Sequence, residues 1–233
     1  MGLDTRPSKS PRYAMTGSGH YATVVAIFCG LLLISNIGAT KLIEFGPIIT
    51  DGGAFLFPLV YITGDVLSEV YGLKAATRAI YLGFGLAMLA AFTFWIVQIS
   101  PPAPGYENQE AFAAVLGFVP RIVVASLAGY LVGQFLNAYV LVKIKERTQE
   151  KKLWMRLIGS TLVGEAADTV VFCTIAFYGI ITGGDFLNYV IVGYVYKVGL
   201  EVVLLPITYR VIALVKRHEP TYVLPTPPAV EVR

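Results

Sequence analysis

Apolar residues in this chain come in long blocks, separated by short stretches where polar and charged residues gather. A helix that crosses a bilayer needs about 20 mostly apolar residues. Six segments meet that requirement, at roughly 21–40, 53–72, 75–99, 112–142, 156–183 and 186–215. The first has the core VVAIFCGLLLI. The third ends before Pro101-Pro102, and the fourth is interrupted by Gly117 and Pro120, so 112–119 is expected as a separate half-helix or re-entrant piece. The fifth and sixth are joined by a few residues around Gly183-Gly184, which predicts an antiparallel helical hairpin. The pattern predicts an all-α integral membrane protein with six transmembrane helices over 21–216. A basic, Pro-containing tail (1–20) and a short Pro-rich tail (217–233) are expected to be disordered. A cleaved signal peptide is the rival reading of the first block, but its length and the five spans that follow favour a retained helix.

Composition agrees with the pattern. Of 233 residues, 56% are hydrophobic and only 14% charged, against about 25% charged in an ordinary soluble domain. The two cysteines, Cys29 and Cys173, lie in apolar runs and read as buried small hydrophobes. No Gly-Lys-Ser/Thr phosphate loop is present, so the chain carries no ATPase of its own. No HExxH or paired histidines occur, and His20 and His218 both lie in tails, which argues against an enzyme and against a bound metal or other cofactor.

Charge sets an expected orientation. With the N-terminus in the cytoplasm, the inner side holds Arg6, Lys9, Arg12, Lys74, Arg78, Lys143, Lys145, Arg147, Lys151, Lys152, Arg156, Arg210, Lys216, Arg217 and Arg233. Only Lys41, Arg121 and Lys197 remain of the 18 basic residues, as the positive-inside rule requires. Both termini are expected on the cytoplasmic side of an inner, cytoplasmic membrane, and five or seven spans would break the alternation.

Several ionisable side chains fall inside the spans: Asp65, Glu69, Glu165, Asp168, Lys197 and Glu201, with Arg121 at the outer end of the fourth. Each costs at least ~2.5 kcal/mol at the bilayer centre. Asp65, Asp168 and Lys197 each lie about a dozen residues from a span end, hence near the midplane at 1.5 Å per residue. Asp65 and Glu69 are four apart, Glu165 and Asp168 three, and Lys197 and Glu201 four, so each pair shares a helix face. Interhelical ion pairs such as Asp168 with Lys197 or Asp65 with Arg121 are the structural alternative. Yet five acids face two bases, and the surplus carboxylates must be protonated, bind a cation or bind a donor-rich substrate. Asn36, Gln134, Asn137, Ser160 and Thr161 add softer polar groups, equally suited to interhelical hydrogen bonds. Phe55, Phe57, Tyr61, Tyr194 and Tyr196 lie on the same helices as the acids and supply faces for a flat ring.

The motifs GAFLFPLVYITGDVLSEVYG, PRIVVASLAGYLVGQFLN, GSTLVGEAADTVVFCTIAFYG and YVYKVGLEVVLLP follow one another in this order. Together, over about residues 20–216, the chain resembles the queuosine precursor transporter family, also known as vitamin uptake transporters. The resemblance implies a six-helix fold similar to the substrate-binding subunits of energy-coupling-factor transporters. It implies import of 7-deazaguanine bases, such as 7-cyano- or 7-aminomethyl-7-deazaguanine or queuine, for tRNA modification. The family's charged positions map onto Asp65, Arg121, Asp168 and Lys197, while Glu165 stands where some members carry Asn. The expected partners are a small-molecule base and the lipid bilayer, with no nucleic acid. A homodimer and a coupling proton stay open. So does the alternative of a substrate-binding subunit in an ATP-driven uptake complex. The candidate substrate-binding set is Asn36, Phe57, Tyr61, Asp65, Arg121, Gln134, Glu165, Asp168, Lys197 and Glu201. Within it a carboxylate, Glu165 or Asp168, suits the ring N–H and exocyclic amine of a guanine-like edge, and Lys197, Arg121 or Gln134 suits its carbonyl.

Overall fold

The computed structural model describes residues 13–148 and 153–222, with the side chains of 138, 141–142, 145–148, 153–158 and 160 outside that description. The basic residues of 1–12 and 149–152, the end of the Pro-rich tail and the Ser160 side chain therefore lie outside the described residues.

The fold is helical throughout apart from one short hairpin. Helix α1 spans Gly19–Gly38, and the Ser18 side chain caps it by accepting from the Tyr21 N–H. Strands β1 (Leu42–Phe45) and β2 (Ile48–Asp51) then pair antiparallel, with Leu42 opposite Asp51. The sequence left this stretch as a connection. A single 3-10 turn, Gly52–Phe55, leads into α2 (Phe57–Tyr71), where Pro58 occupies the first turn, a position that needs no N–H partner. The helix of the second span is thus shorter than the apolar block. Its 15 residues reach about 22 Å, less than a hydrocarbon core of about 30 Å.

Helix α3 (Leu73–Ile99) follows after one residue, Gly72. Gly72 has φ +86°, and a Cβ there would lie 3.2 Å from the Tyr13 ring, so both backbone and space call for glycine. Ser100 ends α3 before the two prolines. As the sequence indicated, the fourth block is broken: α4 (Gln109–Leu116) is a half-helix, and α5 (Val119–Thr148) begins beside Pro120. Helix α6 spans Leu153–Phe177 and α7 spans Gly183–His218, continuing through Pro206. The turn between them is 178–182, so Gly183-Gly184 opens α7 instead of forming the connection.

Among the described residues, four stretches are long and apolar enough by themselves to cross a membrane: Gly19–Gly38, Leu73–Ile99, Gln109–Asn137 and Gly183–His218. Helices α2 and α6, which are not among them, carry Asp65, Glu69, Glu165 and Asp168. Large apolar side chains such as Leu73, Phe92, Trp95, Phe135, Val202 and Val203 point outward, as lipid-facing positions must. This is an all-α membrane protein. Both Cys29 and Cys173 are free and buried.

Residues 13–18 and 219–222 tie together one end of α1, α2, α3 and α7. Glu219 is 2% exposed. It accepts from Ser18 Oγ at 2.8 Å, Tyr71 Oη at 2.7 Å and the Thr221 hydroxyl at 2.6 Å. Burial alone would raise its carboxyl, yet the hydroxyls of Thr221, Tyr71 and Ser18 hold it down at about 2, because hydrogen bonds to the charged form favour it. Ala14 N–H donates to Val70 O at 2.8 Å, so residues 13–18, assigned to a tail on sequence grounds, pack onto the α2 end.

Candidate functional site

Two helices meet backbone to backbone at the centre of the molecule. On α5, Gly129 and Gly133 stand four residues apart and face Asp168 and Gly164 of α6. A Cβ at Gly129 would lie 2.7 Å from Asp168 Oδ1, and one at Gly133 2.9 Å from both Asp168 Cβ and Gly164 O. Such contact needs glycine. The GYLVG run at 129–133 carries this signal in the sequence, as a G-x-x-x-G motif.

The contact fixes Asp168. Its Oδ2 accepts from Lys197 Nζ on α7, with side-chain exposures of 20% and 11%. The ammonium also lies 5.5 Å from the centre of the Phe57 ring on α2, within cation–π range. Glu165, one turn before Asp168, feels the charges of Lys197, Asp168 and Glu201 and is faced by the Tyr61 hydroxyl. Its Oε2 is buried with no hydrogen-bond partner. Asp65 and Glu201, exposed on α2 and α7, interact with each other. The candidates Phe57, Tyr61, Glu165, Asp168 and Lys197 therefore form one cluster. Asp65 and Glu201 continue it toward the C-terminal ends of α2 and α7.

The other candidates are placed elsewhere. Arg121 donates from Nε to Ile175 O and from Nη2 to Tyr178 O, both at 2.7 Å. It caps the orphan carbonyls at the end of α6 and does not pair with Asp65. Asn36 is buried, donates to Leu32 O at 3.0 Å and accepts from Ser126 Oγ at 3.0 Å, which ties α1 to α5. Gln134 is exposed on α5. Glu69 pairs with Lys216 at 2.7 Å near the C-terminal end of α7.

Above Lys197 lies a cavity of about 30 Å³, lined by Thr50, Asp51, Phe57, Thr169, Cys173, Tyr196 and Lys197 among others. That is room for about one water and far below the ~300 Å³ of ordinary ligand pockets. Strand β2 walls it off. Ile49 faces a second, open groove of about 320 Å³ between the hairpin and the α6–α7 turn, while the next two residues line the cavity. The wall is fastened to α7. Asn188 accepts from Ile49 N–H at 3.3 Å and donates to Pro47 O at 2.9 Å, Tyr189 Oη donates to Asp51 Oδ2 at 2.5 Å, and Tyr196 Oη donates to Ala54 O at 2.8 Å. Asp51, 5% exposed, also accepts from Gly53 N–H at 2.8 Å. Burial pushes its carboxyl up, against the opposing pull of Tyr189, Gly53 and Lys197. Sequence reading missed Asp51, because it lies in a connection and only the hairpin carries it inward.

A family described as "putative vitamin uptake transporter" matches residues 51–211, from Asp51 through the Asp168–Lys197 cluster and most of α7. The chain belongs to this family. It is a family of transporters, not of enzymes. A probable queuosine precursor transporter of Bacillus subtilis (strain 168) is 29% identical over 186 residues, 79% of this chain and 81% of that protein. A queuosine precursor transporter of Escherichia coli (strain K12) is 28% identical over 157 residues, 66% and 68% of the two chains. A probable queuosine precursor transporter of Haemophilus influenzae is 29% identical over 147 residues, 63% and 59% of the two. No solved structure matches the chain.

Proposed function

We propose that this protein imports queuosine precursors, 7-deazaguanine bases, across the cytoplasmic membrane. The observation that carries the reading is the Asp168–Lys197 pair beside the Phe57 ring, with a second carboxylate, Glu165, left without a partner for Oε2. The names of the three relatives point to the same substrate class. Asp168 is already engaged by Lys197, so Glu165 is the carboxylate free to accept the ring N–H and exocyclic amine of the guanine-like edge, a charge-assisted bidentate contact. Lys197 keeps donors for the ring carbonyl, and Phe57 offers a face to the ring. The cavity is closed against a bicyclic base. Binding therefore requires β2 to move, with the open groove outside it as the approach.

An aminomethyl substituent is a cation and gains from the overall field of a cluster in which carboxylates outnumber the single ammonium of Lys197. A cyano group is neutral and gains nothing, so the amine-bearing precursor is preferred. The same unpaired acids supply a route for a coupling proton. The test is to express the chain in cells that neither make nor import the precursor, feed each base at low concentration and assay tRNA for queuosine. The modification returns with 7-aminomethyl-7-deazaguanine at the lowest dose, and dissolving the proton gradient reduces uptake by the purified chain in liposomes. If no base restores the modification while the protein sits in the membrane, the substrate reading is wrong.

The proposed orientation places both termini and the α2–α3 corner in the cytoplasm and the β-hairpin outside. A cysteine at Glu107, between α3 and α4, reacts with an impermeant reagent in intact cells. One at Lys74 reacts only after permeabilisation. Labelling of position 74 from outside overturns the orientation.

A further inference from the structure

Among the described residues, three buried polar side-chain atoms lack a hydrogen-bond partner: Asn137 Oδ1, Glu165 Oε2 and Thr169 Oγ1. Thr169 is the least expected of them. A threonine inside a helix ordinarily satisfies its hydroxyl by donating to the carbonyl four residues back. Thr23, Thr63, Thr77 and Thr93 of this chain all do so, at 2.7–2.9 Å. Thr169 does not, although it is 1% exposed and has no partner in the protein for its hydroxyl. A buried hydroxyl left unpaired works against folding, and packing does not demand it, since valine has the same shape. Thr169 instead belongs to the wall of the cavity above Lys197, which it shares with Phe57, Asp51 and Tyr196. Opposite its methyl group α7 carries Gly193, where even a Cβ would lie 3.5 Å from Thr169 Cγ2. A larger side chain there would take up the space into which the cavity has to open.

We propose that Thr169 is a substrate-contacting residue that sets specificity, its hydroxyl reserved for a polar group on the bound base. Glu165 and Thr169 stand four residues apart on one face of α6, about 6 Å along the axis. Both hold an unpartnered oxygen. A flat bicyclic base with polar groups at two ends matches that spacing. Glu165 takes the amidine edge, and Thr169, nearer the hairpin, takes the polar group at the far end of the ring system. The assignment rests on the substrate reading above. It adds that the base lies along α6 with its second end toward β2. A site that pairs a substrate's polar group rejects analogues lacking it, because its own group is then left unpaired.

The test uses the full-length purified protein with Thr169→Val and Thr169→Ser. Affinity is measured for 7-aminomethyl-7-deazaguanine, 7-cyano-7-deazaguanine, guanine and adenine, and thermal unfolding is measured without ligand. Thr169→Val weakens binding of the preferred base by about tenfold or more, the loss of one hydrogen bond in a desolvated site. Thr169→Ser keeps affinity near wild type. The melting temperature of Thr169→Val without ligand stays level or rises, because no native bond is removed. Equal affinity in wild type and Thr169→Val overturns the assignment. So does a clear fall in melting temperature with valine, which would show a structural partner for the hydroxyl. If wild type binds none of the four bases, the substrate reading fails, and the melting comparison alone still decides whether the Thr169 hydroxyl is structurally spent.

Discussion

Lys197→Ala abolishes uptake and lowers stability by ~3–5 kcal/mol, the usual loss when one member of a buried pair is removed and the other stays charged. Asp168 is held against Gly129 and Gly133, so its carboxylate has little room to turn toward another partner. Asp168→Asn has the same sign with a smaller stability cost, because it leaves an ammonium on the long, flexible stem of Lys197, within reach of Glu165. Stability in detergent and uptake in liposomes are to be measured separately. The informative variant is the double replacement Asp168→Asn with Lys197→Met, which removes both charges. Recovery of stability without recovery of uptake assigns the pair to the substrate. Recovery of both assigns it to holding α6 and α7 together, and the proposed site loses its central element.

Gly133→Leu disrupts the α5–α6 contact and leaves little folded protein, while Gly133→Ala costs ~1–3 kcal/mol or more, the range for overpacking a well-filled interior. The magnitude follows from what the new atoms meet. At Gly133 the obstacles are Gly164 O and the Asp168 Cβ, each 2.9 Å away. Neither belongs to a flexible side-chain end that can turn aside. Any separation of the helices that relieves the clash also carries Asp168 away from Lys197, so uptake falls further than stability. Gly85 of α3 is the control. Nothing lies within 4 Å of a Cβ there, and Gly85→Ala is neutral or slightly stabilising, as expected for glycine in a helix interior. Unfolding temperature and the monodisperse fraction check both. A Gly133→Ala protein as stable as Gly85→Ala would mean that the close approach is absent.

Much of this molecule is written along the chain. The apolar blocks, broken at Gly117 and Pro120, give the helices and the half-helix α4, because a span's length and its breakers are local properties. The spacing of Glu165, Asp168 and Thr169, or of Lys197 and Glu201, gives a shared face, because helical periodicity is local too. Depth in the bilayer follows from counting residues, which predicts Asp168 and Lys197 at one level.

Which group across the gap each polar side chain meets is not local, and only the tertiary structure decided it. Arg121 is as charged as Lys197, yet it is spent on the carbonyls of Ile175 and Tyr178. Asn36 suits a cavity or an interhelical hydrogen bond by sequence, and the structure gives it the second role, joining α1 to α5 through Ser126. Asp51 lies outside every apolar block, but the hairpin's register folds it back against Tyr189 and over Lys197. Thr169 is a helical threonine like Thr63 or Thr77, and only the tertiary structure shows that its buried hydroxyl has no hydrogen-bond partner. Sequence periodicity fixes the direction in which a side chain leaves its own helix. The partner it finds depends on the rotation, spacing and tilt of the neighbouring helices, set by packing contacts such as Gly133 against Gly164 that involve residues far apart in the chain.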